Sequence, residues 1–261
     1  LLEKYVEKMQ SHGYTIVVYV QQEDGAGGFK RVLHRVYSPG TTFLEETSSL
    51  SNHMSCIWIQ KMKTLNQEKY VFGLSTIHIM TGQSYISEHC ETYYHNPTTY
   101  DSIETFLNIY NPTEFVLIHN VGVNVIQGIV QYLNIHSRKF HVIDLNNKEH
   151  PLSIQARHCE GQVYQKEIIG TFFPKMNVDI FNYDIADKPI ALQSYCFLLN
   201  FIQQHNVSLI EKIMEPKIEQ VSDLLVCANH SFSQLNIIHE EDNGSYSKNN
   251  QVASIVALLH Q

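Results

Sequence analysis

Between residues 54 and 145 three β-rich apolar segments follow one another closely, and the chain then alternates helix, strand, helix, strand. No other feature limits the possible folds as much. Met54–Met62 and Tyr70–Met80 are rich in β-branched and aromatic side chains, and Gln83–His89 follows across a tight turn predicted at Thr81-Gly82. The spacing of Ile103, Phe106, Leu107 and Tyr110 predicts an amphipathic helix over Thr98–Tyr110, ended by Asn111-Pro112. Phe115–His119 reads as a short buried strand, Val121–Leu133 as a helix, Lys139–Leu145 as a strand and Ile154–Phe172 as a further helix.

An antiparallel meander that leads into parallel crossovers predicts an α/β domain of RNase H-like order, a mixed sheet with helices. It is flanked by two other regions. Leu2–Gln10 reads as a helix with Leu2, Val6 and Met9 on one face, and Gly13 is a suitable left-handed stop. Tyr14–Val20 and Arg31–Tyr37 read as strands joined by a glycine-rich loop, Asp24–Gly28, and Ser38-Pro39-Gly40-Thr41 closes the second. On the other side, Asp179–Asp187 reads as a polar linker. Asp187 is the expected N-cap, and Pro189 the first-turn residue, of an amphipathic helix over Ile190–Gln204. Val221–Leu225 and Phe232–Ile238 are shorter elements, strand or helix, and Asn250–Leu259 is a last helix. The chain opens on Leu1-Leu2 and stops just after an apolar helical run, so it is expected to be a piece of a longer protein.

Composition narrows the function classes. A net charge of −8 supplies no global basic field, so any contact with nucleic acid must be local. The longest uncharged stretch, Phe115–Ser137, is interrupted by His119, Asn120, Asn124, Gln127 and Gln131, too polar for a lipid-facing span. Glu3, Lys4, Glu7 and Lys8 stand where a secretory signal would need an apolar core. Five cysteines without a C-x-x-C pair fit neither a disulfide framework nor a zinc ribbon. His89-Cys90 with His95, and His158-Cys159, read as surface histidines and packed thiols rather than as convergent metal ligands. Abundant Ile, Asn, Tyr and Phe beside only four arginines point to an AT-rich genome, an organelle or a large virus.

Enzyme chemistry finds little equipment. A nuclease on this fold needs metal-binding carboxylates, one of them on the first strand of the sheet. Met54–Met62 and Tyr70–Met80 contain no Asp or Glu, and Asp144 and Glu88 are scattered. There is no G-x-x-x-x-G-K-[ST] loop for nucleotide phosphates and no G-x-S-x-G elbow for a serine nucleophile. The glycine loop leads into a strand, without a helix N-terminus behind it to hold an anion. Lys30, Arg31, His34 and Arg35 form the densest basic cluster. Two readings stay open for it: a phosphate-contacting strand, with Arg31 and Arg35 sharing alternating parity, or a solvated edge whose charges block aggregation.

The passage from the first helix through Gly13, the strand ending in Gln21-Gln22, Arg35 and Val36-Tyr37-Ser38-Pro39-Gly40-Thr41-Thr42 resembles the MutS family of DNA mismatch-repair proteins. Family members have a strand ending in Glu-Gln and an Arg-rich strand closing in Thr-Pro-Gly-Thr, where the mismatch-binding domain joins the connector. The likeness continues through Phe72-Gly73-Leu74-Ser75-Thr76 with Thr81-Gly82, and through Ile109-Tyr110-Asn111-Pro112-Thr113-Glu114. Ala191–Gln204 is similar to the first long helix of the core domain, Leu235-Asn236-Ile237 to an Asn-Leu-Glu-Ile step, and Gln251–Val256 to a Ser-Leu-x-x-x-Leu helix. Divergence and codon-linked composition look most like the mitochondrion-encoded members of octocorals, whose relatives occur in giant viruses.

The resemblance implies residues 1–40 as the end of a mismatch-binding domain, 41–180 as an RNase H-like connector, and 181–261 as the start of an α-helical core (lever) domain. It implies a parent that uses ATP and Mg2+, binds mismatched double-stranded DNA, acts as a dimer and offers its connector to a MutL-type partner. It places that parent in a mitochondrion or, alternatively, as a virus-encoded cytoplasmic protein. The family's Phe-x-Glu wedge and Walker A loop are absent from these residues, so no cofactor and no catalytic residue is expected within them. Lys30, Arg31 and Arg35 are the positions most comparable to the family's basic strand near DNA. The alternatives are a stand-alone RNase H-like protein-binding module and a degenerate metal-dependent nuclease.

Overall fold

The computed structural model describes residues 5, 6, 8, 9, 14–24, 28–37, 52–64, 67–93, 97–135, 139–205 and 207–219, all within the compact unit Leu1–Val221. The closing segment Ser38–Thr42 and the elements expected at Val221–Leu225, Phe232–Ile238 and Asn250–Leu259 lie outside these residues.

A two-stranded antiparallel hairpin, β1 (Ile16–Asp24) and β2 (Gly28–Tyr37), precedes a six-stranded mixed sheet. The sheet contains β3 (His53–Thr64), β4 (Gln67–His78), β5 (Ser84–Thr92), β6 (Glu114–His119), β7 (Lys139–Asp144) and a two-residue β8 (Lys217–Ile218). Its order is β7-β6-β3-β4-β5-β8. β4 runs antiparallel to both β3 and β5, and β6 and β7 run parallel to β3. The expected meander and crossovers are therefore present. Gly82 makes the turn before β5 with φ +76°, and its amide donates to the His78 carbonyl. A Cβ there would also meet the Lys212 carbonyl oxygen at 1.8 Å.

Because strand side chains alternate, the sheet presents two apolar faces. Ile57, Phe72, Leu74, Phe115 and Leu117 pack under α1 (Asp101–Tyr110) and α2 (Val123–Tyr132), and a 3-10 turn, Pro97–Tyr100, leads into α1. Asn111 closes α1 in the left-handed region at φ 39°, as the Asn-Pro signal predicts. Met54, Cys56, Trp58, Val116 and Ile118 pack on the opposite face with α3 (Pro151–His158), α4 (Gln162–Phe172), α5 (Val178–Asp184) and α6 (Pro189–His205). Burial pushes the Cys56 thiol up to about 12 and raises Cys159 and Cys196 as well, so these are neutral packed thiols.

Four sequence expectations need correction. The helix expected over Ile154–Phe172 is two helices, because the chain turns at Cys159–Gly161. Gly161 caps α4 in an extended conformation, and the Gln165 side-chain Nε2 donates to the freed Cys159 carbonyl at 2.7 Å. The polar linker expected at Asp179–Asp187 contains α5, whose first amides, Asp179 and Ile180, donate to the Asn177 side chain. Asp187 does not cap α6; its carboxylate takes the neighbouring Lys188 ammonium at 2.7 Å. Finally, α6 is not amphipathic in place. Twelve of its 17 residues are buried, since it is covered on one side by the sheet and on the other by α4 and a 3-10 turn, Val207–Lys212.

The first helical region is described at Tyr5, Val6, Lys8 and Met9; Val6 is buried, whereas Met9 is half exposed.

Four features seat α6 on the sheet. Gly73 of β4 lets the helix backbone come close, and Glu88, its ladder partner on β5, accepts from the amides of Ile190 and Ala191 at 2.7 and 2.9 Å. One turn further on, the Ser194 hydroxyl donates to the Cys56 carbonyl at 2.9 Å and lies 2.8 Å from the Ser75 hydroxyl. The Tyr195 and Ser84 hydroxyls are 3.0 Å apart. Buried polar groups paired in this way fix one register of helix against sheet.

Candidate nucleic-acid interface

The basic residues singled out in the sequence all fall on β2. Their ladder partners on β1 are Gln22 for Lys30, Gln21 for Arg31 and Val18 for Arg35. The register shifts between Val18 and Tyr19, leaving His34 as the extra residue of β2. A one-residue shift transfers side chains to the other face. Arg35 therefore shares a face with Lys30, not with Arg31, which corrects the simple alternation of the sequence. The Arg35 guanidinium lies 5.2 Å from the centroid of the Tyr37 ring and is half-buried, whereas Lys30 and Arg31 are exposed.

The Arg31 face is largely apolar. It carries Val17, Tyr19, Phe29 and Leu33, the last three at least half exposed, and Glu23 one ladder step away. At its open end the hairpin meets the larger sheet, where the Lys139 ammonium donates to the Thr15 hydroxyl at 2.8 Å. The geometry thus offers single cations on two faces near the closed end rather than one basic stripe.

The carboxylates weighed for metal chemistry do not converge. Asp144 ends β7 and accepts from the backbone and side-chain amides of Asn146 at 2.8 and 2.9 Å. Glu88 caps α6 from β5. β5 and β7 are four strand spacings apart, roughly 19 Å at about 4.8 Å each. A metal pair about 4 Å apart cannot be shared across that span. Among the described residues no group of three or more His, Cys, Asp or Glu is placed to hold a metal ion; His95 lies outside them.

Sequence reasoning missed one ionisable pair with a buried carboxyl and a half-exposed histidine. Glu114 is fully buried, with the His141 Nε2 2.6 Å from its Oε1. It stands at the N-terminal end of β6, whereas open α/β sheets bind ligands beyond the carboxyl ends of their strands. Only the Asn-Pro-x-Glu context marked it.

Several histidines are held neutral by the fold. Burial and the neighbouring His78 ring, 4.7 Å away, lower His53 to about 4, and burial also lowers His89, His119 and His205. Each takes a proton in the unfolded chain before it does so in the folded one. Stability is therefore lost as pH falls, for His53 from about 6.5 to about 4. The thermal midpoint is expected to drop between about pH 7 and pH 5, and His53→Phe, which keeps the ring contacts, to flatten that slope. Calorimetry across the range checks it; an unchanged slope in the variant contradicts the assignment.

No protein-family model matches the chain. Among curated proteins it is 24% identical over 276 aligned positions to a putative DNA mismatch repair protein, a mutS homolog of Acanthamoeba polyphaga mimivirus. That alignment covers 100% of this chain and 24% of the viral protein. It is also 28% identical over 174 positions to the DNA mismatch repair protein MutS of Clostridium kluyveri, covering 64% of this chain and 18% of the bacterial protein. The chain is homologous to MutS-family proteins. It spans about a quarter of the viral relative and less than a fifth of the bacterial one. A solved structure of a Fowlpox virus resolvase with Holliday junction DNA overlaps 56% of this chain and 97% of its own at 14% identity. Its TM-score of 0.31 is too low to carry an argument. Among the described residues no helix is long and apolar enough to cross a membrane.

Proposed function

We propose that this chain is a section of a MutS-type mismatch-recognition ATPase acting in DNA mismatch repair, linking the DNA-reading and ATPase regions. The observation that carries this reading is similarity to a mutS homolog along the whole chain. The strand order supports an RNase H-like connector used as a scaffold, since its carboxylates serve a helix cap and a turn. In this reading β1 and β2 belong to the end of the mismatch-binding domain. The connector extends past residue 180 to β8, because α6 and β8 complete the packing of the same sheet. The parent binds mismatched double-stranded DNA as a dimer, uses ATP and Mg2+ through residues beyond these, and recruits a MutL-type partner. The mimivirus relative supports the virus-encoded alternative for its source more than the mitochondrial one.

Lys30 and Arg31 are the phosphate contacts on this reading, and Arg35, stacked on Tyr37, mainly holds the hairpin. The purified chain is expected to bind a DNA duplex weakly, with little preference for a mismatch and no ATP turnover. Replacing Lys30 and Arg31 together by Glu should weaken binding and reduce the salt slope by about 2. Fluorescence anisotropy over a salt series, beside an ATPase assay, tests this. ATP turnover by the chain, or duplex binding indifferent to both substitutions, sinks the respective part.

A further inference from the structure

At the β5 side of the sheet the outermost strand is β8, and among the described residues no strand pairs with its outer edge. In the parallel ladder Glu219 donates to the Ile86 carbonyl, and Tyr85 and Ile86 register with Lys217 and Ile218. Bonding alternates along a parallel strand, so the amide and carbonyl of Ile218 are directed away from β5. Residues of α5 and of β8 line one groove of about 520 Å3. This falls within the size range of natural ligand sites, about 300–1,000 Å3. Met176, Phe181 and Ile218 are apolar points in its mixed lining, and Ile180 of α5, 61% exposed, lines it too. Among its lining residues Asp184 and Glu215 outnumber Lys175.

A slot between a sheet edge and a helix is the arrangement in which an extended segment adds as a further strand. Backbone bonds then hold the segment, and every second side chain enters the groove. We propose that this slot captures an extended peptide of a partner protein. The peptide pairs with Ile218, places one apolar side chain over Phe181 and Met176, and carries a Lys or Arg toward Asp184 and Glu215. The apolar side chains of the lining give such a segment its anchor, and the two carboxylates reject an acidic one. The inference rests on the α5–β8 geometry and is independent of the DNA reading of the hairpin.

The test is to pan the full chain against a phage library of short random peptides and to measure synthesised winners by fluorescence anisotropy. Enriched sequences should share an apolar residue flanked by Lys or Arg. Ile180→Trp, which obstructs the slot, and Glu215→Lys should each weaken binding about tenfold or more while leaving the thermal midpoint in place; both positions are exposed. No enrichment, or binding indifferent to both substitutions, overturns the proposal. A dimer in sedimentation that Ile180→Trp dissociates assigns the groove to a second copy instead and overturns it equally. Peptide capture by a chain that fails to bind duplex DNA would leave this inference standing and the DNA reading fallen.

Discussion

Gly73→Ala is expected to destabilise the chain by about 3 kcal/mol or more, the upper end of what overpacking costs. A Cβ at this position would lie 2.2 Å from the Ile190 carbonyl oxygen and 2.7 Å from the Ala191 amide nitrogen. Both are backbone atoms of the first turn of α6, so no rotamer change relieves the clash. The helix must lift, and lifting it strains what lies beyond: the Ser194 hydroxyl bond to Cys56 and the buried packing of Tyr195, Phe197 and Leu198. For a unit of this size 3 kcal/mol corresponds to a fall of roughly 6–12 °C in the thermal midpoint. Circular dichroism melts of the two proteins decide the matter, and a variant within about 1 kcal/mol of the parent would show that α6 is not seated as described.

The second large effect concerns the ladder partner of Gly73. Glu88→Ala removes the acceptor for two buried amides at the N-terminus of α6, and a loss of about 2–3 kcal/mol is expected. Glu88→Gln keeps an acceptor oxygen in place and should lose less than half as much. Both variants also differ from the parent in acid. Burial raises the Glu88 carboxyl, while the Ala191 and Ile190 amides offset part of that rise. A carboxyl raised in the folded state binds its proton there first. Its contribution to stability is therefore largest below the ordinary value of 4.5 and declines as pH climbs through the raised value. This runs opposite to the buried histidines. Glu88→Gln should remove the carboxyl component, so its stability is expected to fall more steeply than the parent's on acidification. Chemical denaturation at several pH values reads both effects, and equal losses for Ala and Gln would remove the capping role.

The basic hairpin shows how far a linear pattern reaches. Both strands were legible from their β-branched content and the glycine loop, and Lys30, Arg31 and Arg35 do lie on one of them. Which face each occupies was not. That depends on an extra residue, His34, which becomes extra only because Val18 and Tyr19 choose Arg35 and Leu33 as partners. Asp187 before Pro189 had the local signature of a cap, yet the cap comes from Glu88, about a hundred residues earlier. A local signal cannot compete with a carboxylate already positioned by the sheet. Likewise, α5 was hidden by its short length and interspersed polar residues: Phe181 is its one buried residue, Val178 packs only in part, and Asn177 caps it.

The sequence by itself determined the order of strands and helices from β3 to β7, since side-chain periodicity and the turn residues Gly82 and Asn111 act within a few positions. It also carried the likeness to MutS-family proteins, spread thinly over the whole length. Only the tertiary structure decided which groups meet across distance. Gly73 and Glu88 became a helix seat because β4 and β5 pair in one register. Asp144 and Glu88 were kept apart because β5 and β7 lie on opposite sides of β3. The groove beside β8 arose because the two-residue strand that ends the sheet and a short helix line it together. These are long-range pairings, and their free energy depends on burial and register that no local window of residues contains.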